Sequence, residues 1–274
     1  MTRSCLLSVC LLLAVSCGST PPTKSDGLAP VIWVQTSEEY TALCHQAYRS
    51  ATAALEAALM NPTTTAALEQ VHQQGIEALP VAVVVDVDET VLDNSPYQAG
   101  LVLDGPTYST DTWKDWVEQK RAKPIGGALA FLNHAAKLDV SVFYVTNRTA
   151  DLEEATRSNL IEVGFPVRTD QDVILTKAER PEWGSDKTTR RELIAKSHRI
   201  VLLIGDDLGD FVSPAKGDLD QRHSLVFPHR ARWGSNWIVL PNPLYGSFDR
   251  SILHGVTVDD PAKRAEIRRS ALKR

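Results

Sequence analysis

An apolar and mostly β-branched run, Val81-Ala82-Val83-Val84-Val85, breaks off abruptly at Asp86-Val87-Asp88. A run of this kind reads as a strand buried on both faces, the environment of a central strand in a parallel sheet. The two carboxylates follow at its end, two residues apart, so extended backbone would aim both side chains the same way. In open α/β sheets that edge is where ligands bind. Two converging carboxylates repel each other unless a cation or a shared proton lies between them. The stretch therefore constrains the chemistry as well as the fold.

Strand-like and helix-like segments alternate from there onward. Residues 140–145 form a second apolar run, ending at Thr146-Asn147-Arg148, and residues 172–176 a short third. Residues 200–204 form a fourth, ending at Gly205-Asp206-Asp207-Leu208-Gly209-Asp210, and residues 237–240 a fifth. Helical patterns fill 128–136, 151–163 and 187–196. This order predicts an α/β fold, a parallel sheet flanked by helices. All strand ends then lie on one edge, so Asp86, Asp88, Thr146, Asp206 and Asp210 converge, with Lys187 opening a helix beside them.

The flanking segments are expected to be helical. Residues 36–60 read as one long amphipathic helix capped by Thr36 or Ser37, and 64–78 as a second. Asn94-Ser95-Pro96-Tyr97 reads as a turn, and Thr110-Asp111 as the cap of a helix carrying Trp113 and Trp116. The organisation expected is a catalytic core of residues 81–98 and 123–258. Residues 36–80 are expected to join the insert 99–122 in a small, mostly helical region, with 36–78 either capping the site or buttressing the sheet, and residues 259–274 to form a terminal helix.

Arg3 precedes an apolar run from Cys5 to Val15 that is too short to span a bilayer but suits a signal peptide over residues 1–16. The run closes Leu13-Ala14-Val15-Ser16-Cys17, which resembles a bacterial lipobox and implies lipidation of Cys17. Residues 17–35 then read as lipidated cysteine plus flexible tether, which implies a bacterial cell-envelope protein anchored to a membrane that is expected to be the outer one, with a periplasmic or secreted protein as the other reading. Of the four cysteines, only Cys44 would remain in the folded part, as a buried apolar residue without a disulfide partner. The net charge of -5 argues against gripping a nucleic-acid polymer by its phosphates. The histidines show no zinc-ligand spacing.

The Asp86-x-Asp88-x-Thr90 signature, Thr146, Lys187 and the Asp206-x-x-x-Asp210 pair resemble the four motifs of haloacid dehalogenase (HAD) phosphotransferases. With IGDDLGDF and IVLPNPLYGSF, the chain is similar to the bacterial class C acid phosphatases, and among them to the outer-membrane lipoprotein e 5'-nucleotidases. The resemblance spans roughly residues 36–255, with one departure: Asp207 stands where Asn is more usual.

That family implies a HAD-like core and a Mg2+-dependent phosphomonoesterase acting on small phosphate esters, nucleoside monophosphates among them. Asp86 would be the nucleophile and Asp88 the general acid and base. Asp86, Asp206 and the Asp88 carbonyl would bind Mg2+, with Asp210 supporting that shell or a metal-held water. Thr146 would donate a hydrogen bond to the phosphoryl group and Lys187 would neutralise charge on it. Asn147 is a candidate substrate contact, and Trp113 and Tyr245 would sandwich a base. Arg148 and Arg190 could meet phosphate, though surface arginines commonly have no such role. Transfer of phosphate to an alcohol, or a non-catalytic surface-binding lipoprotein on the same fold, are the other readings; a homo-oligomer is left open.

Overall fold

The computed structural model describes residues 27–105, 108–256 and 260–274. The expected signal peptide, Cys17 and the first part of the tether lie outside these residues.

Seven strands are present among them: β1 (Val81–Val85), β2 (Leu92–Asp93), β3 (Lys123–Pro124), β4 (Ser141–Thr149), β5 (Ile174–Lys177), β6 (Arg199–Gly205) and β7 (Trp237–Val239). Five make one sheet in the order β5-β4-β1-β6-β7. Every pairing in it is parallel. β2 and β3 form a separate antiparallel pair.

The apolar runs explain the order. All of β6 is buried, and in β1 only Val81 keeps partial exposure, because central strands of such a sheet are covered on both faces. Arg199 opens β6 with its guanidinium buried and donates to the carbonyls of Ala58, Asn61 and Thr64. A cation thus meets carbonyls at and just beyond a helix C-terminus, where the helix dipole favours it.

The helices are α1 (Leu28–Thr36), α2 (Glu38–Met60), α3 (Ser95–Asp104), α4 (Thr110–Glu118), α5 (Ala128–Lys137), α6 (Glu153–Glu162), α7 (Thr188–Ala195), α8 (Leu219–Val226), α9 (Ser247–Ile252) and α10 (Pro261–Ser270). α2 packs on α5, β6 and β7, α5 on β4, α6 on β5, and α7 on β6. Ser37 caps α2 by accepting from the Tyr40 N–H at 3.1 Å. Cys44 is buried and free.

Four expectations are corrected. Residues 64–78 form only single 3-10 turns at Leu68–Gln70 and Ile76–Ala78. The backbone there is bonded to the sheet: Ala66 N–H donates to Ile200 O at 2.7 Å, and the buried Gln70 amide bridges Ala195 O, His198 O and Ile200 N–H. Long-range hydrogen bonds override the helical pattern.

The end of the expected tether is α1, which buries Val31 and Val34, sets Trp33 edge-on to Tyr40 and packs on α3. The supposed turn at Ser95-Pro96 opens α3 instead, since proline in a first helical turn gives up no intrahelical bond. The cap of α4 is Ser109, which forms a reciprocal box with Thr112.

Candidate active site

β1 and β6 are neighbours whose onward connections leave in opposite directions, toward β4 and toward β7. A crevice opens beyond the carboxyl ends of strands at such a reversal, and the acidic residues stand there. Asp86 follows β1, its N–H donating to Ile204 O at 2.9 Å. Asp206 follows β6. Asp210 enters from the turn Leu208–Asp210, and a Cβ on Gly205 would collide with its carboxylate.

The carboxylates of Asp86, Asp206 and Asp210 offer oxygens that all lie within 4.8 Å of one another. Lys187, just ahead of α7, extends its ammonium between two of them, 2.5 Å from Asp86 Oδ1 and 2.6 Å from Asp210 Oδ1. Asp206 accepts from Thr90 Oγ1 at 3.2 Å and from Asn242 Nδ2 at 2.7 Å.

Crowding shows in the protonation equilibria. Burial lifts the Asp86 carboxyl to about 7; Lys187 opposes the rise, while Asp210 and Asp88 add to it. Burial, Asp86 and Asp210 hold Asp206 well above the usual carboxylate range. Burial works against the Lys187 charge, but Asp210 and Asp86 keep its ammonium above the usual lysine range. One lysine leaves this cluster short of positive charge. An all-oxygen donor set of carboxylates, largely withdrawn from solvent, fits a hard divalent cation.

Asp88 is turned away from this cluster. Its Oδ1 accepts from Arg148 Nη2 at 2.8 Å, Arg148 Nε at 3.0 Å and Asn94 Nδ2 at 2.9 Å. Arg148 is buried and carries an ion pair, so it is not the surface residue the sequence suggested. The same holds for Arg190, which is buried and donates to Thr146 O, Asn147 Oδ1 and Gly184 O. Burial lowers the Arg190 guanidinium to about 10.

Thr146 is fully buried, and its Oγ1 accepts from the Arg148 N–H at 3.1 Å. Asn147 is exposed at the mouth, with its amide also donating to Ser185 O.

These residues floor a cleft of about 500 Å³. Asp86, Asp88, Asn147, Lys187, Asp206 and Asp210 line it, and both Trp113 and Tyr245 stand on its walls. Thr146 is absent from that lining. Trp113 is braced by Tyr97 edge-on at 5.2 Å and by the Arg148 guanidinium 5.7 Å above its ring.

Asp207 ties this wall to the floor. It accepts from the Ser247 N–H, the Ser247 hydroxyl and the Gly209 N–H, joining the Asp206 turn to the segment that carries Tyr245. Burial opposes its charge, yet these donors hold Asp207 below the usual range. The residue that departs from the family pattern thus has a local task outside the carboxylate cluster.

Sequence reasoning missed Asn94, Asn242 and Ser247. Each is a neutral polar residue beside a charged one, and the only signal was position: Asn94 closes the Asp86 motif and Asn242 precedes Tyr245 by three residues.

A family profile described as HAD superfamily, subfamily IIIB (Acid phosphatase) matches residues 14–248. The fold superposes on the class C acid phosphatase from Bacillus anthracis with a TM-score of 0.80 and 32% identity, covering 92% of this chain and 98% of that one. The tungstate-bound structure of that phosphatase gives 0.79 at the same identity and coverage. Among curated sequences, a stem 28 kDa glycoprotein of Glycine max is 28% identical over 59% of this chain and 58% of its own length. Acid phosphatase 1 of Solanum lycopersicum is 28% identical over 47% of this chain and 51% of its own. The chain thus spans somewhat over half the length of these plant relatives.

Proposed function

We propose that this chain, which belongs to subfamily IIIB of the HAD superfamily, the acid phosphatases, hydrolyses phosphate monoesters outside the cytoplasm, with nucleoside 5'-monophosphates as favoured substrates. The observation that carries the chemistry is the cluster of the half-buried Asp86 and Asp206 and the buried Asp210 with Lys187 inside it, at the floor of an open cleft.

A phosphate monoester repels nucleophiles through its own negative oxygens, so a catalyst must offset that charge and align the attack. Mg2+ is the ion this oxygen set suits: Asp86 and Asp206 would hold it, with Asp210 a further carboxylate of the same cluster and the Asp88 carbonyl as the ligand the family resemblance implies. When bound it supplies positive charge to the phosphoryl oxygens.

An Asp86 carboxylate oxygen attacks phosphorus, the bond to the leaving oxygen breaks, and Asp88 gives that oxygen its proton. Water then attacks the aspartyl-phosphate and gives its proton to Asp88, which frees phosphate and restores Asp86. Lys187 offsets charge on the phosphoryl oxygens and Asn147 contacts the ester from the rim, while Thr146, buried and outside the cleft lining, acts only through the Arg148 backbone that it accepts from.

Two aromatic walls support the nucleotide reading. Trp113 and Tyr245 both line the cleft above the carboxylates, and any base offers a π-face to such a pair. The tungstate bound to the Bacillus anthracis phosphatase is a tetrahedral oxyanion like phosphate, and this cleft is built to take one. The apolar leader and Cys17 support export and lipid anchoring in a bacterial envelope, where phosphate removal would free nucleosides for uptake.

The test is phosphate release at acid pH from AMP, NMN and p-nitrophenyl phosphate, with Mg2+ and then with EDTA. Metal-dependent release that favours the nucleotides is expected. Equal rates on all three would remove the aromatic clamp, and no release from folded protein would remove the activity.

A further inference from the structure

The Asp88 carboxylate is held unevenly. Its Oδ1 takes three donors, two from Arg148 and one from Asn94, which fills the capacity of a carboxylate oxygen. Among the described residues, Oδ2 has one long contact, 3.4 Å to Arg148 Nε. Asp88 lies on the cleft lining, and its side chain keeps 16% exposure against 1% for Arg148. The open oxygen is therefore Oδ2.

Both anchors are themselves fixed. The amide of Asn94 cannot flip, because its Oδ1 accepts from Trp116 Nε1 at 2.8 Å, and indole nitrogen only donates. Arg148 is pinned through Nη1 on Thr156 Oγ1 at 3.1 Å, through its backbone on Thr146, and by the Trp113 face. Arg148 thus reaches the cleft with its Nε, Nη1 and Nη2 each already engaged by Asp88 or Thr156, and its side chain keeps only 1% exposure.

From this we infer that Arg148 is a positioning residue for the acid step: it immobilises Asp88 through Oδ1 and leaves Oδ2 as the one oxygen that passes the proton to the leaving group. The inference rests on the phosphatase reading above. Oδ1 can accept hydrogen bonds both as a carboxylate oxygen and, more weakly, as the carbonyl oxygen of a neutral carboxyl, so a proton on Oδ2 is compatible with the same anchor geometry. The same oxygen can give a proton to the leaving oxygen and take one from water without the side chain turning. Because the guanidinium also rests on Trp113, the wall facing the leaving group and the proton donor share one support.

The test is kcat/KM, which reports only steps through departure of the first product, on p-nitrophenyl phosphate and on an alkyl phosphate, for wild type, Arg148→Met, Arg148→Lys and Asp88→Asn. A nitrophenolate leaves without help, whereas an alkoxide needs the proton. With general-acid contributions of about 10²–10⁴, Arg148→Met is expected to lose about a hundredfold on the alkyl ester and about threefold on the aryl ester. KM should move less than about twofold.

Arg148→Lys keeps the buried charge, and so the fold, but not the fork; a loss of about tenfold confined to the alkyl ester is expected. Equal losses on both esters, a change in KM alone, or a Lys variant that matches wild type on both would overturn the inference, even if the Met variant fails to fold. A wild type without Mg2+-dependent turnover would instead overturn the phosphatase reading, and an Asp88→Asn variant insensitive to the leaving group the acid role of Asp88; either removes the inference as well.

Discussion

The carboxylate of Asp210 fills the space that a Cβ on Gly205 would need. The last residue of β6 is thus glycine for a reason outside its own backbone: the acidic cluster is folded against it. Gly205→Ala must push Asp210 away from Lys187 and Asp86. A loss of about 1–3 kcal/mol in stability is expected from this overpacking, and turnover should fall on the order of a hundredfold because the site moves. Urea unfolding and a Mg2+ titration of turnover check both; unchanged metal dependence would show that Asp210 has no part in holding the metal.

Metal-free protein should lose stability as pH rises. Burial and neighbouring carboxylates lift Asp86 to about 7 from an ordinary value of 3.8, and Asp206 is raised as well. Groups raised on folding bind more protons folded than unfolded, so their contribution is full below about pH 4 and is lost as pH climbs through about 7. In EDTA, Tm should fall between pH 4 and 7, and Asp206→Asn should flatten the slope. Added Mg2+ should restore Tm more at pH 7.5 than at pH 5, since cation and protons compete for the same oxygens.

The central sheet was legible because its strands carry unbroken apolar runs, and their ends named the carboxylates that the structure brings together. Other elements escaped for identifiable reasons. The stretch 64–78 has helical spacing, but its backbone bonds to Ile200 and its Gln70 side chain enters the sheet edge. α3 begins with Ser-Pro, which serves turns and helix starts alike. The partners of Asp88 were illegible for a different reason: Arg148 looks like any arginine until its burial is known, and Asn94 is defined by Trp116, which is remote in sequence.

Tyr245 and Trp113 face the cleft from different segments; Trp113 also supports Arg148, so Tyr245 is the one to remove. Tyr245→Ala is expected to raise KM for AMP about tenfold, in line with about 1–3 kcal/mol for stacking a base. KM for glycerol phosphate, which has no ring, should stay near wild type. A parallel rise for both esters would assign Tyr245 to the shape of the cleft instead of to the base.

Cys17 follows the apolar leader directly, and with lipid attached it would hold the folded part at a membrane. Cys17→Ser should move the protein from the membrane fraction to the soluble one without changing turnover per molecule. A soluble wild type would remove the anchor and leave secretion.

The most direct measurement is an acid quench of the chain turning over a phosphate ester labelled in its phosphoryl group, followed by peptide mapping. Label is expected on the peptide holding Asp86, and neither label nor turnover in a folded Asp86→Asn variant. Turnover by that variant, or label on another residue, would contradict a covalent route through Asp86.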